Sequence, residues 1–380
     1  MKRITVLGSG LVGGIMARDL ASDGNILVRS VDASQKNLSK LEGIDRIELR
    51  QADLTAEAAL LDAIADADAV VGAVPGWMGQ AMLRTVITAG KPISDISFAP
   101  EDPLELDGLA REKGVTAIVD CGVSPGLSAL AIGRAASKLA RTDTAVIYVG
   151  GLPVERYWPF EYRSVFSPTD VIEEYTRPSR LVEHGEVVVR EALSEVELLD
   201  FPGVGTLEAF NTDGLRTLIR TMKIPMMKEK TMRYPGHADR MRMLREMGLF
   251  SNDPVEVDGV SVVPRRLTES LLFEKWRRPA HERELTVLRI IVEGEANDGS
   301  RKRYVHDLLD HTDPATGWTS MARTTGFPCA IMARAIADGR CSTAGILPLE
   351  LVAPDDSLFD HMIAELGKRG VSFHERIENA

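Results

Sequence analysis

The first 125 residues alternate short β-branched apolar runs with amphipathic stretches, and this pattern constrains the fold of the 380-residue chain more than any other feature. Six runs are candidate strands, at residues 4–7, 26–31, 46–50, 69–74, 92–96 and 115–119. Stretches between them, such as 11–22 and 56–65, carry apolar residues at helical spacing. Repeated βα units of this kind build a parallel sheet with helices on both faces. The pattern therefore predicts an α/β fold with a doubly wound parallel sheet.

The pattern changes after Pro125. One apolar run, 144–149, is followed by a segment rich in proline and aromatic residues, and then by two hairpin signals. Asp258-Gly259 separates two alternating runs within 255–263, and an Asn-Asp-Gly-Ser sequence does the same within 285–309. Helical periodicity returns from about residue 326. We predict a second, α+β domain with antiparallel strands, followed by helices that pack back on the first domain.

Length, charge and cysteine content exclude several classes of protein. A chain of 380 residues exceeds what one hydrophobic core usually serves, and its net charge of -11 makes nucleic acid an unexpected partner. No apolar run has the length of a membrane span, and no signal peptide precedes the first candidate strand, so we expect no membrane partner and a cytoplasmic location. The three cysteines form no CxxC pair or zinc motif, which predicts free thiols and no metal.

A GxGxxG sequence lies directly between the first candidate strand and the first candidate helix. Its residues are Gly8, Ser9, Gly10, Leu11, Val12 and Gly13. In this context the glycines allow a tight turn, close approach of a pyrophosphate, and close packing of helix on sheet. The second strand ends at Asp32, whose carboxylate is placed to bind a ribose diol. Because a carboxylate there repels a 2′-phosphate, we predict NAD as cofactor, with NADP left possible by Arg29.

Further candidate contacts follow the third and fourth strands. Asp53 is placed to meet the adenine edge of the dinucleotide, although an N-cap of the next helix explains it equally well. Val74 and Pro75 lie at the carboxyl end of the sheet, where ligands bind in this architecture. Trp77 in the same loop is a candidate substrate contact or a core residue.

Several longer motifs, spread across nearly the whole chain, are more specific than the glycine sequence. They are DCGVSPG at 120–126, YVGGLP at 148–153, EY at 161–162 with VFS at 165–167, LEAF at 207–210, RYPGH at 233–237 and MARTT at 321–325. Together they resemble the saccharopine dehydrogenase family, and most closely its lysine 6-dehydrogenase members. Saccharopine-forming members carry an aspartate at the position of Ser124 and a cysteine at that of Val149. Both departures point away from saccharopine as substrate. The loop PGWMGQ at 75–80 is also less aromatic than in the family.

The resemblance implies a Rossmann domain formed by residues 1–125 with 326–380, and a substrate-binding and dimerisation domain formed by 126–325. It implies NAD(P)-dependent oxidation of the side-chain amine of lysine, or of a close diamino acid, to the semialdehyde with release of ammonia. The expected partners are that amino acid and further copies of the chain, as a homodimer or higher homo-oligomer. Two alternatives are a saccharopine- or carboxyspermidine-type reductive condensation, and a noncatalytic regulatory protein that binds a dinucleotide.

Two residues are candidate catalytic groups. Amine oxidation needs a base that removes a proton from the ammonium before the hydride leaves, and the iminium must then react with water. Asp120, at the end of the sixth strand, is the first candidate, and a helix-capping carboxylate is its structural alternative. His237 is the second, because histidine titrates near neutral pH and its neighbours are turn residues, although a structural role fits as well.

The remaining candidates concern the substrate. Arg233 and Arg323 suit an α-carboxylate and Glu161 suits an α-ammonium, while ordinary surface ion pairs are the alternative for all three. Thr324 is a candidate contact or a cap of the following helix. Cys121 is included because it adjoins Asp120; nothing indicates a reactive thiolate, and packing is its simpler interpretation.

Overall fold

The computed structural model describes residues 1–164, 168–279 and 281–379, which form two compact units. Unit 1 comprises Met1–Lys138, Arg216–Met222 and Ala322–Phe373, and unit 2 comprises Leu139–Leu215, Lys223–Met321 and His374–Ala380. The sequence predicts a first boundary at residue 125, whereas unit 1 continues through the next helix to Lys138. It also includes a seven-residue segment from the middle of the chain, which the sequence pattern does not indicate.

Unit 1 is built on one parallel sheet. With elements numbered along the chain, its strands are β1 (Lys2–Leu7), β2 (Ile26–Asp32), β3 (Ile47–Gln51), β4 (Ala69–Gly72), β5 (Ile93–Asp95), β6 (Thr116–Val119) and β17 (Gly345–Pro348). Their order is β17-β6-β5-β4-β1-β2-β3. The strand order reverses between β1 and β4, and the carboxyl ends beside such a switch point form the ligand-binding edge of doubly wound folds. The predicted fold class is confirmed.

Helices cover this sheet. Those of unit 1 are α1 (Gly13–Ala21), α2 (Gln35–Leu38), α3 (Glu57–Ile64), α4 (Gly76–Thr88), α5 (Asp107–Glu112), α6 (Leu127–Lys138), α8 (Leu218–Thr221), α11 (Ser320–Ala337), α12 (Leu349–Val352) and α13 (Asp356–Lys368), with 3-10 turns at Ser39–Leu41 and Pro103–Leu106. Ile4, Val6, Val28 and Val70 are fully buried. Burial on both faces explains why the strands are continuous apolar runs rather than alternating ones.

Unit 2 contains a nine-stranded mixed sheet and a separate hairpin. Its strands are β7 (Arg141–Pro153), β8 (Ser179–Glu183), β9 (Glu186–Arg190), β10 (Glu197–Phe201), β11 (Gly205–Asn211), β12 (Met226–Arg233), β13 (Val255–Val257), β14 (Val260–Val262), β15 (Glu284–Glu295), β16 (Arg301–His311) and β18 (Phe373–Asn379). The main order is β10-β11-β12-β7-β15-β16-β18, with β8 joining β12 to β9. Both predicted hairpins, β13-β14 and β15-β16, are present. The sheet is not purely antiparallel, because β7 and β12 run parallel.

An aromatic core packs beside the sheet of unit 2. The helices of this unit are α7 (Pro168–Thr176), α9 (His237–Glu246) and α10 (Pro264–Trp276). Tyr162, Tyr175, Phe210 and Trp276 form the core between them, each at most 3% exposed. Among the described residues, every helix is too short or too polar to cross a membrane.

Candidate functional site

The three motif glycines between β1 and α1 are required for different reasons. Gly8 has a positive φ of 98°, and a Cβ there would lie 2.3 Å from the carbonyl oxygen of Ala73. A Cβ on Gly13 would lie 1.9 Å from the carbonyl oxygen of Gly8. A Cβ on Gly10 would meet no described atom within 4 Å, so the backbone there borders open space. These are the properties that a pyrophosphate-binding turn at a helix N-terminus needs.

Asp32 is fixed at the end of β2 by this glycine-rich loop. One carboxylate oxygen accepts hydrogen bonds from the Ser9 backbone N–H at 2.7 Å and the Asn37 side-chain amide at 3.3 Å, and the other accepts from the Ser34 N–H at 2.7 Å. Two carboxylate oxygens offer about four acceptor positions, so capacity remains for a ribose hydroxyl. The residues present therefore fit a dinucleotide, with Gly8 to Gly13 at the pyrophosphate and Asp32 at the ribose.

Arg29, the basic residue in β2 that suggested NADP as an alternative cofactor, is held by neighbouring groups of unit 1. Its side chain is 8% exposed and donates to Asp66, Glu48 and the carbonyl oxygen of Ala63. The pKa of the Arg29 guanidinium is raised, chiefly by the hydrogen bond to Asp66. A guanidinium held in this way has its donors engaged by protein groups, so it is not Arg29 that would contact a 2′-phosphate.

The other predicted cofactor contacts occupy the same edge. Val74 is buried, and Pro75 occupies the N-cap position of α4. Asp53 is fully exposed and accepts hydrogen bonds from the N–H and hydroxyl of Thr55, which lower its pKa. It is not the N-cap of the next helix, because Ala56 occupies that position and makes no side-chain capping hydrogen bond. Trp77 is 71% exposed on the first turn of α4, which excludes the core-packing interpretation.

Asp120 follows β6 and makes a buried ion pair that the sequence did not predict. Its two carboxylate oxygens each accept a hydrogen bond from Arg216, from Nε and Nη2, both at 3.2 Å, and both side chains are 5% exposed. Arg216 also donates to the carbonyl oxygen of Ala99 at 2.7 Å and lies 4.6 Å over the ring of Phe98. The structural role of Asp120 is therefore an ion pair with Arg216, and not the helix cap that the sequence offered as an alternative.

Two further carboxyls lie at this edge. Asp95 ends β5, is 3% exposed, and accepts hydrogen bonds from the N–H and hydroxyl of Ser97. Burial raises its pKa to about 7. Glu350, the second residue of α12 just beyond β17, accepts a hydrogen bond from Thr221 at 2.7 Å, and burial raises its pKa as well. Since carboxylates at strand ends were the basis for choosing Asp120, the same criterion applied to β5 would have identified Asp95.

Three substrate candidates in unit 1 are largely enclosed. Cys121 is fully buried, and its N–H donates to the carbonyl oxygen of Asp95, as packing requires. Arg323 is 7% exposed and donates to the carbonyl oxygen of Arg369. Thr324 is fully buried inside α11, which begins at Ser320, so the capping interpretation of Thr324 was wrong.

His237 in unit 2 lies in the aromatic core and not in an open turn. The His237 ring packs against the rings of Tyr162 and Tyr175, with centroid-to-centroid distances of 5.3 and 5.5 Å. Nδ1 lies 3.1 Å from the carbonyl oxygen of Phe160, which can only accept, so Nδ1 carries the proton and Nε2 accepts from the Tyr175 hydroxyl at 2.9 Å. Burial, with Arg233 nearby, lowers the pKa of His237 to about 3. In this arrangement His237 is neutral at physiological pH.

Arg233 and Glu161 are both engaged within unit 2. Arg233 is 2% exposed, donates to Glu174 at 2.5 Å, and lies 4.7 Å over the ring of Tyr162. Its Nε has no hydrogen-bond partner among the described residues. Glu161 accepts a hydrogen bond from Arg156 at 2.7 Å. This is the surface ion pair that the sequence left open as the alternative to binding an α-ammonium. The VFS motif at 165–167 lies outside the described residues.

Comparison with family models covers almost the whole chain. A model described as the saccharopine dehydrogenase NADP binding domain matches residues 4–118, and one described as the saccharopine dehydrogenase C-terminal domain matches residues 122–371. The second match alone spans more than half of the chain.

Curated relatives and solved structures agree with these matches. The NADP(+)-dependent, L-glutamate-forming saccharopine dehydrogenase of Schizosaccharomyces pombe is 24% identical over 462 aligned positions, covering 99% of each chain. The carboxyaminopropylagmatine dehydrogenase of Synechocystis is 20% identical and covers 99% of this chain and 98% of its own.

Apo saccharopine dehydrogenase (L-Glu forming) from Saccharomyces cerevisiae has the same fold, with a TM-score of 0.84 at 19% identity over 100% of both chains. Homospermidine synthase from Legionella pneumophila, solved with NAD, gives a TM-score of 0.65 at 13% identity over 99% of this chain and 91% of its own. On the evidence of the family models, this chain belongs to the saccharopine dehydrogenase family of nicotinamide-dinucleotide-dependent oxidoreductases.

Proposed function

We propose that this protein is an NAD-dependent dehydrogenase that oxidises the side-chain amine of lysine, or of a close diamino acid, and releases ammonia. The charge balance at the carboxyl edge of the unit 1 sheet carries the proposal. Three buried carboxyls lie there, on Asp95, Asp120 and Glu350. Arg216 is the basic partner that the described residues provide for them, and Asp120 already occupies it. A cationic amine bound at this edge would favour the ionised form of these carboxyls and be attracted to it, whereas additional substrate carboxylates would be repelled by it.

The proposed reaction is balanced by the cofactor and one water. A dinucleotide held by Gly8 to Gly13 and Asp32 would supply an acceptor for the hydride that leaves the amine-bearing carbon. Water then adds to the iminium carbon of the substrate, and the C–N bond breaks. Overall, one ammonium-bearing CH2 group, NAD+ and water give an aldehyde, NADH, ammonium and one proton. The protein must therefore remove a proton from the ammonium before hydride transfer.

Asp120 is our candidate for that step, either as the base or as the group that orients the neutral amine. Arg216 holds its carboxylate in one orientation with two hydrogen bonds, and acceptor positions on the same oxygens remain free. Burial outweighs the attraction of Arg216 and raises the pKa of Asp120 above the ordinary range for aspartate. A raised pKa brings a carboxylate closer to what general-base catalysis near neutral pH requires.

Within unit 2, Arg233 stays our candidate for the substrate α-carboxylate. It is the buried guanidinium there whose Nε has no partner among the described residues, and an unsatisfied buried donor is costly unless a ligand or water completes it. For the dinucleotide we propose NAD, because Asp32 lies at the end of β2 and Arg29 is fully engaged elsewhere.

A second candidate is oxidation of a secondary amine, and the relatives favour it. Saccharopine dehydrogenase and carboxyaminopropylagmatine dehydrogenase are both named for substrates of another kind than free lysine. Saccharopine, however, carries carboxylates that lysine lacks, and these would need additional cations. Arg216 does not provide such a cation, because it is already paired with Asp120.

The test is a screen for cofactor reduction with NAD or NADP against L-lysine, ornithine, 2,4-diaminobutyrate and saccharopine, with ammonia measured in parallel. We expect NAD and lysine to react and ammonia to equal the reduced cofactor. Asp120→Asn should lower kcat/KM by about 10²- to 10⁴-fold. The matched control Asp102→Asn, in an exposed Asp–Arg pair of the same unit, should change it little.

Each other outcome identifies a different function. Reaction of saccharopine without ammonia would support the second candidate. Measurable dinucleotide binding without turnover on any amine would indicate a noncatalytic, regulatory role.

A further inference from the structure

Segment 216–222 brings Arg216 to the sheet of unit 1. The segment lies between β11 and β12, which are strands of unit 2, and yet it belongs to unit 1. Its helix, α8, has four residues, and a helix of that length is not stable by itself. The position of Arg216, the first residue of the segment, therefore depends on the side-chain contacts that hold α8 in unit 1.

Glu350 is a buried acceptor for this helix. It is 2% exposed, and its Oε1 accepts a hydrogen bond from the Thr221 hydroxyl at 2.7 Å. The backbone of α12 packs closely on α6, since a Cβ on Gly133 would lie 2.3 Å from the carbonyl oxygen of Glu350. This packing fixes Glu350 in unit 1, and its carboxyl can therefore serve as a rigid anchor for α8.

The Glu350 carboxyl is poorly satisfied apart from this contact. Its second oxygen, Oε2, is buried and has no hydrogen-bond partner among the residues that the structure describes. A buried polar atom without a partner is costly, whereas an apolar side chain of similar volume would fill the same space without that cost. The stability of α12 therefore does not explain an acid at this position, and the contact with α8 does.

The two ends of segment 216–222 attach beside neighbouring strands of the sheet. Because β17 pairs with β6, Glu350 and Asp120 follow adjacent strands at the same carboxyl edge. The segment contacts Asp120 through Arg216, and it contacts Glu350 through Thr221. Little more than about one helical turn separates these two contacts. A displacement of Thr221 from Glu350 would therefore also displace the Arg216 guanidinium that orients Asp120.

We propose that Glu350 is a positioning residue, which anchors α8 through Thr221 and so keeps Arg216 on Asp120. This role rests on the proposed function, because that function gives Asp120 its part in proton transfer. Glu350 acts through α8 and not by touching the substrate. All groups of the anchor belong to unit 1, so its contact with α8 can be measured without substrate or dinucleotide.

Amide hydrogen exchange of the full chain tests the anchor directly. Glu350→Leu removes the acceptor, while the Thr221 hydroxyl keeps a partner in the carbonyl oxygen of Thr217, 3.0 Å away. We expect a peptide that covers 216–222 to exchange at least about tenfold faster than in wild type, with the thermal unfolding midpoint nearly unchanged. Glu350→Gln keeps an acceptor oxygen and should restore the wild-type exchange rate. Wild-type exchange in Glu350→Leu would overturn the proposal.

A variant on the donor side tests the same contact if Glu350→Leu does not fold. Thr221→Val removes the hydroxyl that Glu350 accepts from, and it should also accelerate exchange in 216–222. The matched control is Thr116→Val, which removes a buried hydroxyl that donates to the carbonyl oxygen of Thr343 at 2.9 Å. Exchange in 216–222 should be the same in this control as in wild type. Equal exchange in Thr221→Val and Thr116→Val would contradict the anchor.

The pH profile of kcat/KM tests the effect on Asp120. Arg216 favours the ionised form of Asp120, so release of Arg216 in Glu350→Leu should raise the pKa of Asp120 and move the acid limb up by about one pH unit. We expect kcat/KM at pH 7 to fall about tenfold or more. Glu350→Gln also lacks the ionisable group but should keep the wild-type limb. A merely structural role of Glu350 would lower the unfolding midpoint and leave the limb in place.

Failure of the positioning role can be distinguished from failure of the proposed function. A wild-type chain that oxidises no amine would refute the proposed function, and the exchange rates alone would then decide whether Glu350 anchors α8. A wild-type chain that oxidises an amine, with the same acid limb in Glu350→Leu, would overturn the positioning role and leave the proposed function standing.

Discussion

Arg216 and Asp120 both adopt backbone conformations that L-residues seldom occupy. Their φ values are 51° and 50°, in the left-handed region, where a non-glycine residue costs on the order of 1 kcal/mol or more. The conformation is maintained by the contacts of the Arg216 guanidinium with Asp120, with the carbonyl oxygen of Ala99 and with the Phe98 ring. Residues held in this way cluster at functional sites, and the pair lies at the carboxyl edge of the sheet.

His237 provides a test at the level of one residue. His237→Gln replaces the ring by an amide that can accept from Tyr175 and donate to the Phe160 carbonyl. Because His237 is buried and neutral, we expect the acid limb of the pH profile of kcat/KM to keep its midpoint while the free energy of unfolding falls by about 1 to 3 kcal/mol. The two measurements are a pH–rate profile and a urea titration. A displaced acid limb would make His237 the acid–base group.

The residues show where sequence reasoning succeeds and where it stops. Asp120 and Asp32 could be selected because parallel strands bring their carboxyl ends to one edge. Arg216 could not be selected in this way. Nothing in the sequence around it indicates that segment 216–222 belongs to unit 1, whose sheet is formed mainly by the first 119 residues. For His237 the adjacent turn residues were misleading. Its environment comes from Phe160, Tyr162 and Tyr175, which are distant in sequence.

Among the elements, buried parallel strands were the most predictable. The six predicted strands of unit 1 agree with β1 to β6 within two residues at each end. Strands buried on both faces are uninterrupted apolar runs, whose limits are visible in the sequence. β17 was not predicted because it has only four residues, within a region of helical periodicity. The run at 144–149 is likewise the middle of β7, a thirteen-residue strand with partners on both sides.

The turn between β1 and α1 allows dinucleotide binding to be separated from folding. We expect Gly10→Ala to unfold at nearly the wild-type temperature but to bind NADH at least about tenfold more weakly, because the added methyl enters the open space available to the pyrophosphate. Gly13→Ala should instead destabilise the fold by about 2 kcal/mol or more, since its Cβ would overlap the carbonyl oxygen of Gly8.

Thermal unfolding and NADH fluorescence titration measure the two effects of these glycine variants. Gly24→Ala, where the added Cβ also meets open space but outside the motif, is the control. Unchanged NADH affinity in Gly10→Ala would place the pyrophosphate elsewhere.

Among the residues that the structure describes, buried acids with a raised pKa outnumber buried histidines with a lowered pKa. Burial raises the pKa of Asp95 to about 7, of Glu229 to about 8 and of Glu284 to about 6. The folded protein keeps these protons at pH values where the unfolded chain has lost them, so their stabilisation is lost as pH rises through each folded pKa. His237, with its lowered pKa, acts oppositely and destabilises the fold as pH falls below about 6.5. Asp120 and Glu350, whose pKa values burial also raises, act in the same direction as these three acids. The buried acids together outweigh His237, so we expect a net loss of stability between about pH 5 and 8.

Glu229 accounts for the loss of folding stability at the upper end of this pH range. It is 4% exposed, accepts a hydrogen bond from Thr212, and stays protonated to the highest pH of the three acids. Glu229→Gln keeps the shape and the acceptor but cannot ionise. We expect the wild-type free energy of unfolding to fall between pH 6 and 8, and the variant to fall less, by on the order of 1 kcal/mol per pH unit. Urea titrations across this range measure it, with exposed Glu191→Gln as the control. Parallel curves for Glu229→Gln and wild type would mean that Glu229 is ionised in the folded protein.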